Sequence, residues 1–423
     1  MEVNSPQGVL FNILRKCIRV LTDRANNPDL PPFFITSMFT LVQLLASFPA
    51  GVEPLVSSGL VRTLVPLIKD LHHLRFSTRM ARIMDLLFNS GRLAHTAFTE
   101  VSVFELFTKR LQAELEACED GAKLVRIGSL YREKAAAMRM IVESIINKVL
   151  DHAEVAQNKD TSTGNASEDS VLASGTDIPV SMVLDSGDTT ENNENSENSA
   201  NFLGSTFATT SSTPVATSFT RSTCSQERKS FLKVTLRLLV SASREPTFAT
   251  TTRTLAENST LLSSLEIIFR SPEYFGTTLW DQAAKWVIEF CNNEPALLPV
   301  VQDAGIPDAV YSVLANGIPA SMEVLVDLPA LLSCLCLNAR GLKSFIAAHP
   351  LDSISAVFLN KKYLSCINAD TPVMLGSLFD ELLRHQPTLL QSGVQTVINM
   401  LQHLITLGNT PGIVVLTGNG NCK

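Results

Sequence analysis

The sequence predicts an all-α chain whose helices stack as repeats, and three observations carry that prediction. Apolar residues recur at helical spacing in block after block: Phe76, Met80, Ile83, Met84, Leu87 and Phe88; Leu375, Leu378, Phe379, Leu382 and Leu383; Val394, Val397, Ile398, Leu401, Leu404 and Ile405. Steps of three and four put each set on one face of a helix. A helix–glycine–helix pattern also recurs: Pro54–Val65 turns at Gly59, and Pro299–Val310 turns at Gly305. Composition agrees, because 45% of residues are hydrophobic but only 6% are aromatic, a balance that suits packed helices better than a β-sandwich.

Taken in order, residues 1–150 form a first helical block. Helix starts are marked by a hydroxyl residue followed by proline at Ser5-Pro6, Ser271-Pro272 and Thr371-Pro372. The hydroxyl can accept an orphan backbone N–H, and proline has none to lose. Looser versions of the glycine turn fall near Phe98–Phe107 and Phe345–Phe358, about 41 and 45 residues after Gly59 and Gly305, which is the armadillo/HEAT period. Each unit exposes an apolar face that only a neighbouring unit can cover, so the expected architecture is an armadillo/HEAT-like solenoid.

Residues 151–226 break the pattern. They are rich in Ser, Thr, Asn, Asp and Glu, have no sustained apolar period, and are expected to form a disordered acidic insert. Residues 227–408 are a second helical block. Within it, Ser321–Leu337 reads as one helix capped by Ser321, with a kink at Pro329 or a break near Asp327-Leu328. Residues 409–423 read as a flexible tail.

The charge of −7 is unevenly distributed: residues 1–150 carry net +4, 151–220 net −10, and 221–423 net −1. No region has the strongly basic footprint of a nucleic-acid-binding domain, so no nucleic-acid partner is expected. No stretch reaches 18 consecutive apolar residues, and no membrane partner is expected. The N-terminus has neither a basic nor an apolar signal region, and most of the eight cysteines lie in apolar helical patterns. They are read as reduced cysteines of a cytoplasmic or nuclear protein.

Chemical motifs are sparse. Cys334 and Cys336 are two apart on a predicted helix, so their thiols diverge, and no C-x₂-C or H-x₃-H partner exists. His72-His73 reads as a polar loop or a helix cap. There is no G-x-S-x-G elbow and no phosphate-binding glycine loop, so no catalytic residue, cofactor or metal is expected. Cys224, in the polar run Ser222-Thr223-Cys224-Ser225, is read as exposed and flexible. The best surface feature is basic: Arg75, Arg79 and Arg82 line one helical stripe that could hold an acidic peptide, with Arg62 and Arg92 expected nearby. The competing reading is a solvated face opposite Phe76, Met80 and Met84.

The stretches Gly59-Leu60-Val61, Arg75 to Leu86, Gly305 to Ala309, Leu335 to Leu342, Asp370-Thr371-Pro372 and Asp380 to His385 carry a family resemblance. They resemble the armadillo-like N-terminal region, a domain of unknown function, of the giant HECT-type E3 ubiquitin-protein ligases (the Mule type of animals, with plant UPL and yeast Tom relatives). The resemblance covers roughly residues 30–150 and 228–408. It implies a non-catalytic scaffold that binds protein substrates or adaptors, or organises the rest of the ligase. That family accepts ubiquitin on a C-terminal cysteine in a Thr-Cys-Phe context. Here the single Thr-Cys pair, Thr223-Cys224, is followed by Ser225, so the catalytic cysteine does not carry over. The chain is then read as a fragment, a short isoform or a stand-alone relative. The alternative is an armadillo adaptor for acidic peptides without a link to ubiquitin. A third reading, thioester chemistry on Cys224 or Cys366, has no supporting context.

Overall fold

A computed structural model describes residues 6–22, 31–160 and 223–408. These residues form helices, turns and loops, with no strand among them. After α1 (Pro6–Thr22) the chain repeats a three-helix unit whose first, second and third helices are called long, short and medium after their lengths in the first four units. The first unit is α2 (Pro32–Ala46), α3 (Pro49–Ser57) and α4 (Leu60–Lys69). The second is α5 (Leu74–Phe88), α6 (Arg92–Glu100) and α7 (Val103–Glu116), followed by the 42-residue α8 (Glu119–Asp160). The third is α9 (Gln226–Arg244), α10 (Ala249–Glu257) and α11 (Thr260–Arg270). A single-turn α12 (Pro272–Phe275) leads to the fourth, α13 (Thr277–Asn293), α14 (Leu298–Asp303) and α15 (Ile306–Asn316). The fifth is α16 (Met322–Leu335), α17 (Ala339–Ala348) and α18 (Pro350–Phe358). The last replaces its short helix by a 3-10 turn, Pro387–Leu389, between α19 (Thr371–His385) and α20 (Leu390–Gly408).

The chain divides into two compact units, Met1–Arg132 with Arg221–Lys423, and Glu133–Thr220. In the second, the described residues are the C-terminal part of α8. In the first, the helices form two solenoid-like stacks. The long helices pack in the order α2, α5, α9, α13, α16, α19, and the medium helices in the order α4, α7, α11, α15, α18, α20. One continuous apolar core runs from Phe11 to Leu389, and Leu64, Met84, Phe107, Leu236, Trp280 and Leu332 are fully buried within it.

The repeat has a backbone signature. The residue before the medium helix has positive φ in five successive units: Gly59 (80°), Ser102 (51°), Ser259 (56°), Gly305 (76°) and His349 (48°). The short helix must reverse into the medium helix within one or two residues, and the left-handed conformation does this. For a non-glycine residue it costs about 1–2 kcal/mol, which the packing on both sides offsets at Ser102, Ser259 and His349. The two glycine turns and the two looser repeats expected from the sequence are four of these five positions.

Several expectations change. The hydroxyls of Ser271, Thr371 and Ser321 make no helix-capping bond. Thr371 is instead bonded to Asn368, whose Oδ1 also accepts from the Thr371 backbone N–H at 2.9 Å. Ser321 bonds to Glu323. Side-chain caps are made by Ser225, Asn338 and Asn360. Helix α16 is not broken at Asp327-Leu328; it runs unbroken through Pro329. Leu328, Leu331, Leu332 and Leu335 are buried on both sides of the proline and hold the helix against α13 and α19. Leu332→Ala should therefore cost about 2–5 kcal/mol in chemical denaturation. A loss under about 0.5 kcal/mol would mean the site can collapse without penalty.

Of the acidic stretch expected over 151–226, residues 151–160 continue α8, 161–222 lie outside the described residues, and 223–226 pack onto the larger unit. The expected tail, 409–423, also lies outside the described residues. Among the described residues no single helix is long and apolar enough to cross a membrane.

Candidate interaction surface

Arg75, Arg79 and Arg82 project from α5, the second helix in the stack of long helices. Helix α2 lies on one side and α9 on the other, so the stripe borders two successive junctions. Arg75 pairs with Glu227 of α9, and both are largely exposed. Arg79 Nη1 donates to Thr40 Oγ1 of α2 at 2.9 Å. Arg82 is exposed and faces a groove of about 370 Å³ that it shares with Gln43 of α2 and with Gln226, Ser230, Lys233 and Arg237 of α9. Arg237 is pinned by Asp85, a buried carboxylate of α5. The tertiary fold thus adds Lys233 and Arg237, contributed by the next unit, to the basic stripe. Lys233 lies four residues before Arg237, so the α9 contribution is itself a helical i, i+4 pair. Sequence reading alone missed it because its partners lie across the acidic insert.

Arg62 and Arg92 are not part of this stripe. Arg62, on α4 in the other stack, faces Glu100 at 4.0 Å beside a second cavity of about 590 Å³ lined also by Arg15 and Arg19. Arg92 begins α6. His73 Nδ1 is 2.7 Å from Asp70 Oδ2, while the His72 backbone N–H donates to Asp70 Oδ1, so this pair builds a loop. Cys334 and Cys336 are buried, and the Cys334 thiol donates to the Leu331 carbonyl at 3.0 Å. Cys366 is half-buried, with Ser365 Oγ 3.9 Å from its sulfur.

Cys224 is the clearest correction. It is 2% exposed, in contrast to the exposed, flexible residue expected from its polar neighbours. Its backbone N–H donates to the Tyr274 carbonyl, and its sulfur lies 4.0 Å from that of Cys118.

The family model described as Domain of Unknown Function (DUF913) matches residues 78–415. The chain belongs to the DUF913 family. It is 31% identical over 426 residues to "E3 ubiquitin-protein ligase HUWE1" of Rattus norvegicus, covering 96% of this chain and 9% of that protein. The HUWE1 ligase of Mus musculus is 29% identical over 420 residues. "E3 ubiquitin-protein ligase UPL2" of Arabidopsis thaliana is 24% identical over 405 residues, covering 95% of this chain and 9% of that protein. The chain spans less than a tenth of the length of these relatives.

Within this DUF913 chain, the motif from Leu335 to Leu342 is a structural joint. Asn338 caps α17 by accepting from the Gly341 N–H at 2.7 Å, and its Oδ1 also accepts from Gln302 Nε2 at 2.9 Å. A Cβ on Gly341 would stand 1.9 Å from the Leu335 carbonyl oxygen, so no larger residue fits.

Further along the DUF913 stack of long helices, Lys285 Nζ bridges Asp281 at 2.7 Å and Asp327 at 3.5 Å. Burial, together with a hydrogen bond shared with Asp281, pushes the Asp327 carboxyl up to about 6. The folded state therefore holds a proton that the unfolded chain releases near pH 4. This group's contribution to stability is complete below pH 4 and is lost as pH rises towards 6. Asp327→Asn should flatten the fall in urea midpoint between pH 4 and pH 6.5. An unchanged slope would contradict this.

Proposed function

We propose that this chain is a protein-interaction segment of a HECT-type E3 ubiquitin-protein ligase. It acts as an armadillo-like scaffold that binds protein substrates or adaptors, while ubiquitin transfer takes place outside it. One observation carries this reading: Arg82 from one repeat and Lys233 and Arg237 from the next line one groove of the long-helix stack. The ubiquitin-ligase names of the relatives supply the context. A groove with this charge suits an acidic segment of a partner protein, held by charge-assisted hydrogen bonds. The buried free cysteines suit a reducing compartment, cytoplasm or nucleus.

The test is binding of a fluorescein-labelled peptide of alternating acidic residues and glycine, read by anisotropy at low and physiological salt. Binding should weaken with salt. Arg82→Glu combined with Lys233→Glu should weaken it by about tenfold or more, and both residues are exposed, so the fold should be unaffected. Absence of binding at low salt, or indifference to the double reversal, would overturn the assignment of this groove. An acidic-peptide adaptor unconnected with ubiquitin is the second reading. It is favoured if the groove binds such peptides but a full-length ligase carrying the same double reversal ubiquitinates all its substrates normally.

A further inference from the structure

We propose that Cys118 and Cys224 form a peroxide-sensitive dithiol that closes to a disulfide across the junction between the second and third helical units. The two sulfurs are 4.0 Å apart, and the residues are 1% and 2% exposed. A disulfide needs about 2 Å between sulfurs, so a small side-chain adjustment at each residue would join them. Their positions in the chain make the bond consequential. Cys118 follows α7 and its carbonyl accepts the first bond of α8, from the Ala122 N–H. Cys224 immediately precedes Ser225, the cap of α9. The bond would therefore tie the end of one unit to the start of the next and enclose the whole intervening segment.

The surroundings activate one thiol and keep the other in reserve. Arg228 Nη1 is 3.7 Å from Cys118 Sγ, and the same guanidinium is anchored through Nε to Glu114 Oε2 at 2.7 Å. Cys118 sits at the N-terminus of α8, where the helix dipole favours a negative charge. A hydrogen bond from the Cys224 thiol, then the Arg228 charge and a hydrogen bond from Tyr274, hold the Cys118 thiol down to about 6 against the cost of burial. Cys224 is shifted the opposite way, first by its hydrogen bond with Cys118 and then by burial. Elsewhere, burial pushes Cys336 up to about 12 and raises Cys334 well above its ordinary value. Among the described thiols, this pair alone combines a second sulfur in contact with a paired guanidinium.

The oxidant is hydrogen peroxide, small and uncharged enough to enter through local fluctuations. The Cys118 thiolate attacks one peroxide oxygen: the S–O bond forms, the O–O bond breaks, and hydroxide leaves and takes up a proton as water. Cys118 is then a sulfenic acid. Cys224 attacks that sulfur: the S–S bond forms, the S–O bond breaks, and the leaving hydroxyl takes the Cys224 proton as a second water. Two thiols lose two electrons, and one peroxide becomes two waters.

The test treats the reduced chain with graded peroxide, quenches with acid, alkylates under denaturing conditions, and maps tryptic peptides. Residues 111–123 and 222–228 should appear as one disulfide-linked peptide, rising from none to most of the Cys118 population. Cys17, Cys291, Cys334 and Cys336 should stay alkylatable over the same range. In Cys224→Ser the linked peptide should vanish, and dimedone should trap Cys118 as sulfenic acid. A second measurement does not depend on that variant folding. The wild-type linked peptide should be lost when the chain is unfolded in urea before peroxide is added, because proximity is then removed. If Cys118 and Cys224 remain free in the native chain while Cys366 oxidises, or if Cys118 links as readily to other cysteines, the proposal is wrong.

Discussion

Glu114→Ala is expected to destabilise the protein by about 3–5 kcal/mol, and the loss should appear as uncoupling of the two helical blocks. Glu114 is buried on α7 and holds two guanidinium groups. Oε1 accepts from Arg110 Nη2 at 2.6 Å on its own helix, and Oε2 accepts from Arg228 Nε at 2.7 Å on α9. Arg110 is 2% exposed, donates to the Ile68 carbonyl, bonds to that of Asp70, and lies over the Phe231 ring at 5.2 Å. Removing the carboxylate strands a buried cation that water cannot reach, which is why breaking such a network costs more than forming it contributes. Glu114→Gln, which keeps one acceptor oxygen, should lose less. Urea denaturation monitored by circular dichroism checks both. A loss for Glu114→Ala below about 1 kcal/mol would mean that Arg110 and Arg228 are satisfied without it.

Phe88→Ala should cost a comparable amount, about 3–5 kcal/mol. Phe88 ends α5 at the centre of an aromatic cluster: ring centroids lie 4.6 Å from His95, 5.4 Å from Phe98, 5.4 Å from Phe104 and 5.3 Å from Phe248. Phe248 belongs to the 3-10 turn Pro246–Phe248 of the third unit, so the cluster crosses the same junction as Glu114. The four neighbouring rings are fixed by two helices, α6 and α7, and a turn, so they cannot collapse into the space left by the truncation. Phe88→Leu, which fills most of that volume, should recover more than half of the loss in the same denaturation assay. Equal losses for the two variants would show that edge-to-face geometry outweighs volume here.

Residue spacing alone dictates the helices, their amphipathic faces and the existence of a repeat. These are local properties: spacing of three and four sets the buried face, and glycine at Gly59 and Gly305 marks a left-handed turn. The repeat was harder to see where Ser102, Ser259 and His349 take that conformation, because no residue type announces it when packing offsets the strain. The basic stripe on α5 was legible for the same local reason, through the i, i+4, i+7 spacing of Arg75, Arg79 and Arg82. What α5 and α7 face is set by packing between distant segments. That packing brought Lys233 and Arg237 to Arg82, Arg228 to Glu114, Phe248 to Phe88 and Cys224 to Cys118. Each of these pairs is separated in sequence by more than a hundred residues that include the acidic stretch. Segment composition and length do not dictate which helical face meets which on the far side. Arg110 and Glu114 are charged and Cys224 lies in a polar run, yet all three are buried, because burial is a property of the neighbours that arrive. Those neighbours arrive because α7 and α9 can cover their apolar faces only by stacking on each other and on α5 and α11, and the polar groups caught between them must then find partners within that junction.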